Sequence, residues 1–316
     1  MNTRRDFVVG LGTACLAEAV SGCRFFTGAA SDFDESLAVF LSDPHVAGTD
    51  AGWRKNWTFT RCEFARRVAE VLAMRPLPRH VVIFGDLAID HGEPEDYRLL
   101  AELLCPLRAA GVRVVLSTGN HDRRDTMREA FPGTAKSPVD GRIVSVTPIG
   151  PCDLVLLDSL KLTGPDANLK EAPVEGALDD AQQQWIADYI AKATRPTLVA
   201  AHHPLNELTA CGRPLAKALH EAPHCCGWIN GHEHEWRSLV SLSNRSDLRT
   251  LFLPSSGLWG DIGSVVFRAS AERAVATLRL NDHWFHPPLK PGERKPSVWS
   301  DIVADNDGLR CTFSYC

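Results

Sequence analysis

The polar motif Gly119-Asn120-His121-Asp122 follows the apolar run 112–116 and combines side chains that could do metal chemistry. A β-branched run that stops at Gly-Asn is typical of a buried strand leading into a tight loop, where open α/β sheets bind ligands. Asn120 offers a neutral oxygen to a cation, and His121 could donate a proton or act as a ligand. Alone, the motif fits equally well a strand-to-helix turn capped by Asp122.

Other polar clusters also follow apolar runs: Asp43-Pro44-His45, Gly85-Asp86, His202-His203 and Gly231-His232-Glu233-His234. Asp43 and His45 are two residues apart, as are His232 and His234, so on an extended segment each pair could chelate one ion. Mixed carboxylate and imidazole ligands suit Fe, Mn, Zn or Co better than Mg or Ca. A lone histidine at a strand end is more often structural. Several clusters that each close a strand favour a metal site instead.

The elements that must position these clusters alternate between strand and helix. In the first half, strands are predicted at 37–42, 81–84 and 112–116, with helices at 57–73 and 97–110 between them. This βαβαβ order predicts a mostly parallel sheet. The second half predicts strands at 153–157 and 197–201, helices at 180–193 and 214–220, and antiparallel strands near 248–253, 264–267 and 274–280.

Length and composition bound the class of protein. The chain has 316 residues, 44% of them hydrophobic and 23% charged, with a formal net charge of −5. These values fit one large domain with appendages and exclude a disordered chain. Because the chain is mildly acidic and has no basic block, a nucleic-acid coat and a polybasic membrane surface are not expected.

The N-terminus reads as a targeting segment. Thr3-Arg4-Arg5-Asp6-Phe7, the weakly apolar run 8–20 and Val20-Ser21-Gly22-Cys23 resemble a twin-arginine export signal that ends in a lipoprotein cleavage box. The alternative is a short buried helix or an inner-membrane anchor, but the run is shorter than the ~20 residues of a span and Glu18 interrupts it. We expect a periplasmic or cell-envelope protein whose only membrane attachment is a lipid on Cys23.

This interpretation divides the chain into a signal at 1–23, a linker at 24–36, a catalytic domain at 37–285 and a C-terminal tail at 286–316 that wraps the outside. Ten cysteines are present, of which Cys15 and Cys23 fall in the signal. In an oxidising compartment some of the others would pair, and we expect Cys211 with Cys225 or Cys226 and Cys311 with Cys316. Cys105 and Cys152 lie among apolar residues and are expected to be buried thiols.

The order of the clusters over residues 37–267 resembles the calcineurin-like metallophosphoesterases. Within that family the chain is most similar to the bacterial class III cyclic-nucleotide phosphodiesterases. The similarity lies in Gly85-Asp86-Leu87-Ala88, Gly92-Glu93-Pro94, Tyr97, Leu156-Leu157-Asp158-Ser159 and Gln184-Trp185. The resemblance implies an α/β fold, a four-layer α/β/β/α sandwich of two mixed sheets flanked by helices.

The resemblance also implies a site with two metal ions. Asp43, His45, Asp86 and His234 would hold one ion, and Asp86, Asn120, His202 and His232 the other, with Asp86 as the bridge. Such ions, about 3.5–4 Å apart, would activate a water for attack on phosphorus and hold the phosphoryl oxygens. His121 would protonate the leaving group and Asp122 would orient His121. His203 would either support a ligand or pack beneath Pro204.

The implied activity is hydrolysis of small phosphodiesters, with cyclic nucleotides among the options. The cysteine-bearing segment 205–226 lacks the proline-rich continuation common in those phosphodiesterases, which leaves the substrate open. A phosphomonoesterase with the same ligands and a non-catalytic, phosphate-binding surface lipoprotein are the alternatives. Trp53, Trp57 and Trp259 could stack on a base or sugar, although aromatic packing is the favoured interpretation. The sequence does not predict the oligomeric state.

Overall fold

The computed structural model describes residues 32–161, 174–240, 248–284 and 297–315, so the expected signal lies outside the described residues. The strands are β1 Phe33–Leu41, β2 Leu77–Phe84, β3 Arg113–Ser117, β4 Ser145–Ile149, β5 Cys152–Leu156, β6 Thr197–Ala200, β7 Cys225–Asn230, β8 Arg237–Val240, β9 Arg249–Phe252, β10 Gly260–Ala269, β11 Arg273–Trp284 and β12 Arg310–Ser314. The helices are α1 Phe59–Ala73, α2 Pro94–Ala109, α3 Arg124–Ala130, α4 Asp180–Lys192, α5 Gly212–Glu221 and α6 Ser297–Asn306.

In the described ranges, the strands form two mixed sheets of six strands each. The first has the order β12-β11-β10-β1-β2-β3, in which β1, β2 and β3 are parallel and the other pairs antiparallel. The second has the order β4-β5-β6-β7-β9-β8, with a parallel centre and antiparallel pairs at both edges. The predicted fold class is thereby confirmed.

Alternation along the strands accounts for the layers. In β1, Val39 and Leu41 pack with residues of α1 and α2, whereas Ala38 and Phe40 point the other way and pack between the two sheets. A third cluster joins the outer face of the second sheet, including Val199, to α4 and α5. Helix, sheet, sheet and helix therefore stack with one apolar core at each interface, which is why the central strands are apolar on both faces.

This architecture brings the polar clusters to one edge. Because β1, β2 and β3 are parallel and in register, with Leu41 beside Ile83 and Ile83 beside Leu116, the loops after them leave the sheet together. The loops after β6 and β7 leave the second sheet in the same way. The two edges are joined by a hydrogen bond from Thr118 Oγ1 to Asp158 Oδ1 at 2.6 Å. The cleft between these loops is where an α/β sheet binds its ligand.

The C-terminal segment differs from its prediction. It does not simply wrap the outside, because residues 310–314 form β12, which pairs with β11 at the edge of the first sheet. Phe313 is fully buried between the sheets. The alternation of Cys311 and Phe313 with polar neighbours is a strand pattern that was too short to stand out beside the prolines of the preceding segment. Strand β1 also begins at Phe33, inside the expected linker.

Two expectations about cysteines are wrong. Cys211 is not in a disulfide with Cys225 or Cys226; its Sγ accepts a hydrogen bond from the Leu178 amide at 3.4 Å. Cys105 is exposed, because it lies on the face of α2 opposite the buried leucines. Cys152 is 1% exposed, which confirms its prediction. Cys316 lies outside the described residues, so its pairing with Cys311 stays a prediction. Among the described residues, no helix is both long and apolar enough to cross a membrane.

Candidate metal centre

The side chains predicted as metal ligands converge between the two sheets. Asp43 and His45 follow β1, Asp86 follows β2, Asn120 follows β3, His202 follows β6, and His232 and His234 follow β7. Both aspartates and His45, His202 and His234 are at most 3% exposed. Burying so many ionisable groups together is costly unless they compensate one another's charge or bind a metal.

One half of the cluster contains Asp43, His45, Asp86 and His234. The distance from His234 Nε2 to Asp43 Oδ1 is 3.2 Å, and that from His45 Nε2 to Asp86 Oδ2 is 3.5 Å. Potential ligand atoms of Asp43, His45 and His234 all lie within 4.8 Å of one another. Within the part of the chain that the structure describes, neither ring nitrogen of the buried His45 makes a hydrogen bond. Such an orphaned imidazole fits a cation, because a metal ion would take the lone pair that no donor occupies.

The other half contains Asp86, Asn120, His202 and His232. His202 Nε2 lies 3.3 Å from Asp86 Oδ2 and 3.2 Å from both Asn120 Oδ1 and His232 Nδ1. The carboxylate of Asp86 thus contacts an imidazole of each half, as a bridging ligand would.

Backbone carbonyls orient two of the imidazoles. His202 Nδ1 lies 2.8 Å from the carbonyl oxygen of Phe84, and His234 Nδ1 lies 3.1 Å from that of Trp259. A carbonyl only accepts, so Nδ1 carries the proton in each ring and the lone pair of a neutral ring is on Nε2, which faces the cluster. The histidines are therefore preset as ligands by the strand and loop behind them.

The backbone of the cluster is strained. Asp43, His45, Asp86, His232 and His234 all have positive φ angles, between 44° and 73°. Non-glycine residues seldom adopt this left-handed region, and each such residue costs about 1–3 kcal/mol, a strain that clusters at functional sites. The sequence did not indicate these positive φ angles, because none of the five residues is glycine or asparagine, the types that adopt them most readily.

Electrostatics in the cluster keep its two aspartates charged. Burial raises the pKa of Asp43, but the imidazoles of His234 and His202 outweigh this and lower the pKa to about 2. Burial raises the pKa of Asp86, but the imidazoles of His202 and His121 outweigh this and hold the pKa well below its ordinary value. Burial lowers the pKa of His202, but Asp86 and Asp43 outweigh it and raise the pKa to about 10. Two carboxylates thus stay charged around a place that attracts a cation.

His121 lies at the edge of the cluster, with its ring beside Asp90. His121 Nδ1 is 3.0 Å from the carbonyl oxygen of Asp90, and Nε2 is 3.9 Å from Asp86 Oδ2. Burial lowers the pKa of His121, but the Asp86 charge and the contacts with Asp90 raise it to about 9. An imidazolium in this place can donate a proton. His121 also lies within ligand distance of His45 and Asp86.

Asp122 does not make the contact expected of it. Its carboxylate accepts hydrogen bonds from the amides of Leu87, Ala88 and Gly119 at 2.8–3.1 Å and from the Tyr97 hydroxyl at 2.9 Å. Among the described residues, the polar contacts of the His121 ring are with Asp86 and Asp90. Asp122 therefore ties the loop after β2 to the loop after β3, and Asp90, which the sequence analysis missed, orients His121.

Two further side chains define the surroundings. Both ring nitrogens of His203 have partners, Ser159 Oγ at 2.8 Å and the Val174 carbonyl at 2.9 Å, so His203 supports the loop of His202 from beneath. Glu207, also missed by the sequence analysis, lies 3.0 Å from His232 Nε2. The only signal for it was an acidic residue one turn after His202-His203-Pro204.

Of the three tryptophans near the cluster, two pack against other rings and one is exposed. Trp259 packs on the His234 ring, with centroids 5.4 Å apart, and its edge contact with Trp57 has centroids 6.1 Å apart. Trp53 is 49% exposed. The packing interpretation therefore fits Trp57 and Trp259.

Comparison with known proteins decides the family. The family described as calcineurin-like phosphoesterase matches residues 38–236, more than half of the chain. This chain belongs to the calcineurin-like phosphoesterase family. It is accordingly a metal-dependent phosphoester hydrolase, as predicted.

Two sequence relatives and one solved structure are similar to this chain over much of its length. The chain is 26% identical over 286 residues to a probable cyclic nucleotide phosphodiesterase of Rhodopseudomonas palustris, covering 88% of this chain and 92% of the relative. A probable cyclic nucleotide phosphodiesterase of Psychrobacter arcticus is 24% identical over 211 residues, 63% of this chain and 65% of the relative. The crystal structure of a dimetal phosphatase from Danio rerio has the same fold, with a TM-score of 0.65 and 14% identity over 89% of this chain and 99% of that chain.

Proposed function

We propose that this phosphoesterase hydrolyses small phosphodiesters, cyclic nucleotides among them, at a centre of two metal ions. The observation that carries the proposal is the buried cluster in which the His45 ring has no hydrogen-bond partner among the described residues and Asp86 lies between His45 and His202. Support for a diester comes from the relatives named as probable cyclic nucleotide phosphodiesterases.

The ligand sets follow from the two halves of the cluster. Asp43, His45 and His234 would hold one ion with Asp86, and Asn120, His202 and His232 would hold the other with Asp86. Two ions of Fe, Mn, Zn or Co, when bound, supply the charge that polarises the phosphoryl group and acidifies water. The chain contributes a buried ligand frame in which backbone carbonyls already orient the imidazoles of His202 and His234.

His121 would supply the proton for the leaving group. Its Nδ1 is held by the Asp90 carbonyl, so Nε2 remains to donate a proton on the side of the cluster. In-line displacement expels an alkoxide, and a proton delivered to that oxygen as the bond breaks removes the charge. Asp90 fixes the ring angle at which this transfer occurs.

A metal-reconstituted activity screen tests the proposal. Protein stripped of metal and reloaded with Mn, Zn, Fe or Co is assayed with bis(p-nitrophenyl) phosphate, p-nitrophenyl phosphate and a cyclic nucleotide. We expect turnover of the diesters to exceed that of the monoester and to require about two ions per chain. Faster turnover of the monoester would establish the phosphatase alternative. Two bound ions without turnover of any ester would establish the phosphate-binding alternative.

We also propose that the enzyme is exported by the twin-arginine pathway and held at the cell envelope by a lipid on Cys23. This proposal is supported by the motif Thr3-Arg4-Arg5-Asp6-Phe7 and by the lipoprotein cleavage box that ends at Cys23. The substrate would then be a small phosphate ester met outside the cytoplasm.

A further inference from the structure

His232 differs from the other oriented imidazoles of the cluster in what holds it. His202 and His234 are held through Nδ1 by the carbonyls of Phe84 and Trp259. His232 is held through Nε2 by a carboxylate, Glu207 Oε2, at 3.0 Å. The side chain of His232 is 13% exposed and that of Glu207 is 30% exposed, so the contact is partly shielded from water.

This contact fixes the tautomer of His232. A charged carboxylate only accepts, so the proton of a neutral His232 ring is on Nε2 and its lone pair on Nδ1. That lone pair faces Nε2 of His202 at 3.2 Å, where a neutral His202 also presents a lone pair. When His202 is protonated, its Nε2 donates a hydrogen bond to this lone pair, and a cation bound by two neutral rings would take the place of that proton. Glu207 therefore selects the tautomer in which His232 can act as a ligand.

The position of Glu207 in the chain couples it to a second ligand. Glu207 ends the short 3-10 turn Leu205–Glu207, which directly follows His202-His203-Pro204. The Glu207 amide donates to the Pro204 carbonyl at 3.0 Å, and the Glu207 carbonyl accepts from the Gly176 amide at 3.1 Å. One short hydrogen-bonded segment thus carries the ligand His202 at its start and, at its end, the carboxylate that orients His232.

We propose that Glu207 is a positioning residue that determines how tightly the half of the centre formed by His202 and His232 holds its ion. This inference rests on the proposed two-metal centre. A carboxylate behind a ligating imidazole fixes the ring and raises the basicity of the nitrogen that faces the metal, and loss of such a partner typically weakens metal binding 10–100-fold. The half formed by Asp43, His45 and His234 has no contact with Glu207 among the described residues.

The test compares three variants. Glu207→Ala removes both the acceptor and the charge, whereas Glu207→Gln keeps an oxygen that can accept the Nε2 proton. Glu175→Gln is the matched control, because Glu175 lies near enough to act on the charge of Glu207 but its side chain is 58% exposed and pairs with Lys161. Metal-loaded full-length protein is titrated with a chelator, and the release of the two ions is followed separately with Zn²⁺ and with Mn²⁺.

We expect Glu207→Ala to release one ion about 10–100-fold more readily and the other as in the wild type. Glu207→Gln should show a smaller loss and Glu175→Gln none. Long-range proton–nitrogen NMR spectra of the zinc-loaded protein should show the Nδ1-ligated tautomer of His232 in the wild type and a mixture in Glu207→Ala. A merely structural role would instead lower the thermal stability of the stripped protein and leave the tautomer unchanged.

The outcomes distinguish failure of the role proposed for Glu207 from failure of the proposed two-metal centre. Wild-type protein that binds two ions and hydrolyses phosphate esters, with Glu207→Ala equal to it in both release steps, overturns the role of Glu207 alone. Wild-type protein that binds a single ion overturns the two-metal centre and the role of Glu207 with it.

Discussion

The carboxylate of Asp86 lies between His45 and His202, and one of its oxygens also accepts a hydrogen bond from the His121 amide at 2.9 Å. As the side chain that would contact both ions, it should be needed for both. We expect Asp86→Ala to abolish turnover and to lower the metal content from about two ions per chain, measured by elemental analysis. Normal turnover with both metals retained would contradict the bridging role.

His121 should act through proton donation and not through ligation, because its Nδ1 is held by Asp90 and Asn120 beside it already faces the cluster. We expect His121→Ala to keep both metals and to lose about 10²–10⁴-fold in turnover of an ester with an alkoxide leaving group. With p-nitrophenolate, which leaves without protonation, the loss should be smaller. Equal losses on both substrates, together with loss of metal, would make His121 a ligand.

For single residues, the sequence predicts which side chains are metal ligands, but it does not predict which side chains orient the histidines. Asp43, His45, Asp86, Asn120, His202, His232 and His234 could be named because residue type and spacing limit what can chelate. Asp90 and Glu207 could not, because each meets its histidine only through tertiary contacts: Asp90 with His121 and Glu207 with His232. The same reason accounts for Asp122, whose partners are backbone amides that no side-chain pattern reveals.

Among the elements, the loops after β2 and β3 approach each other at Gly119. A Cβ on Gly119 would lie 2.1 Å from Asp86 Oδ1 and 2.4 Å from the Asp86 amide nitrogen, so any larger residue must displace the bridging carboxylate. We expect Gly119→Ala to weaken metal binding at least about tenfold although every ligand is still present. Turnover and metal content are measured on the same preparation.

The matched control is Gly133→Ala. Gly133 lies in the exposed turn Pro132–Ala135, and a Cβ there would meet no atom of the described residues within 4 Å. This variant should bind metal and turn over as the wild type does. Wild-type metal binding in Gly119→Ala would show that the two loops separate more easily than their packing indicates.

Elements were predictable in proportion to their length and periodicity. Helix α2 and strand β2 were found because the leucines of α2 repeat with a helical period and β2 is an apolar run. Helix α3 and strand β4 were missed, since each is short and takes its stability from tertiary packing. The left-handed backbone at the ligands lies beyond pattern reasoning, because it is imposed by the surrounding loops.

For the whole molecule, the order of the layers could be predicted from the alternation of strands and helices in the sequence. The addition of β12 to the edge of the first sheet could not. The cellular location stays a prediction as well.

If Arg4 and Arg5 are read by the twin-arginine pathway, changing both to Lys should leave precursor in the cytoplasm, and Cys23→Ser should give a soluble or unprocessed form. Fractionation and immunoblotting measure this. A protein that stays equally processed and membrane-bound after both changes would refute the predicted signal.

The stability of the whole molecule should depend on pH through His80, which is remote from the metal ligands. His80 is 3% exposed on β2, on the strand face that Val82 and Phe84 place between the sheets. Its Nδ1 has no hydrogen-bond partner in the described ranges of the chain. Burial lowers the pKa of His80 from 6.5 to about 4, helped by the positive charge of Arg113. The unfolded chain therefore binds this proton more readily than the folded protein does.

It follows that the contribution of His80 to stability is fully present above pH 6.5 and is lost as the pH falls towards 4. We expect the free energy of unfolding, measured by denaturant titration in a chelating buffer, to fall over this interval in the wild type. The fall should be smaller in His80→Gln, because glutamine has no proton to gain, and unchanged in the control His224→Gln. Identical pH profiles for the wild type and His80→Gln would show that His80 is protonated as easily in the folded protein as in the unfolded chain.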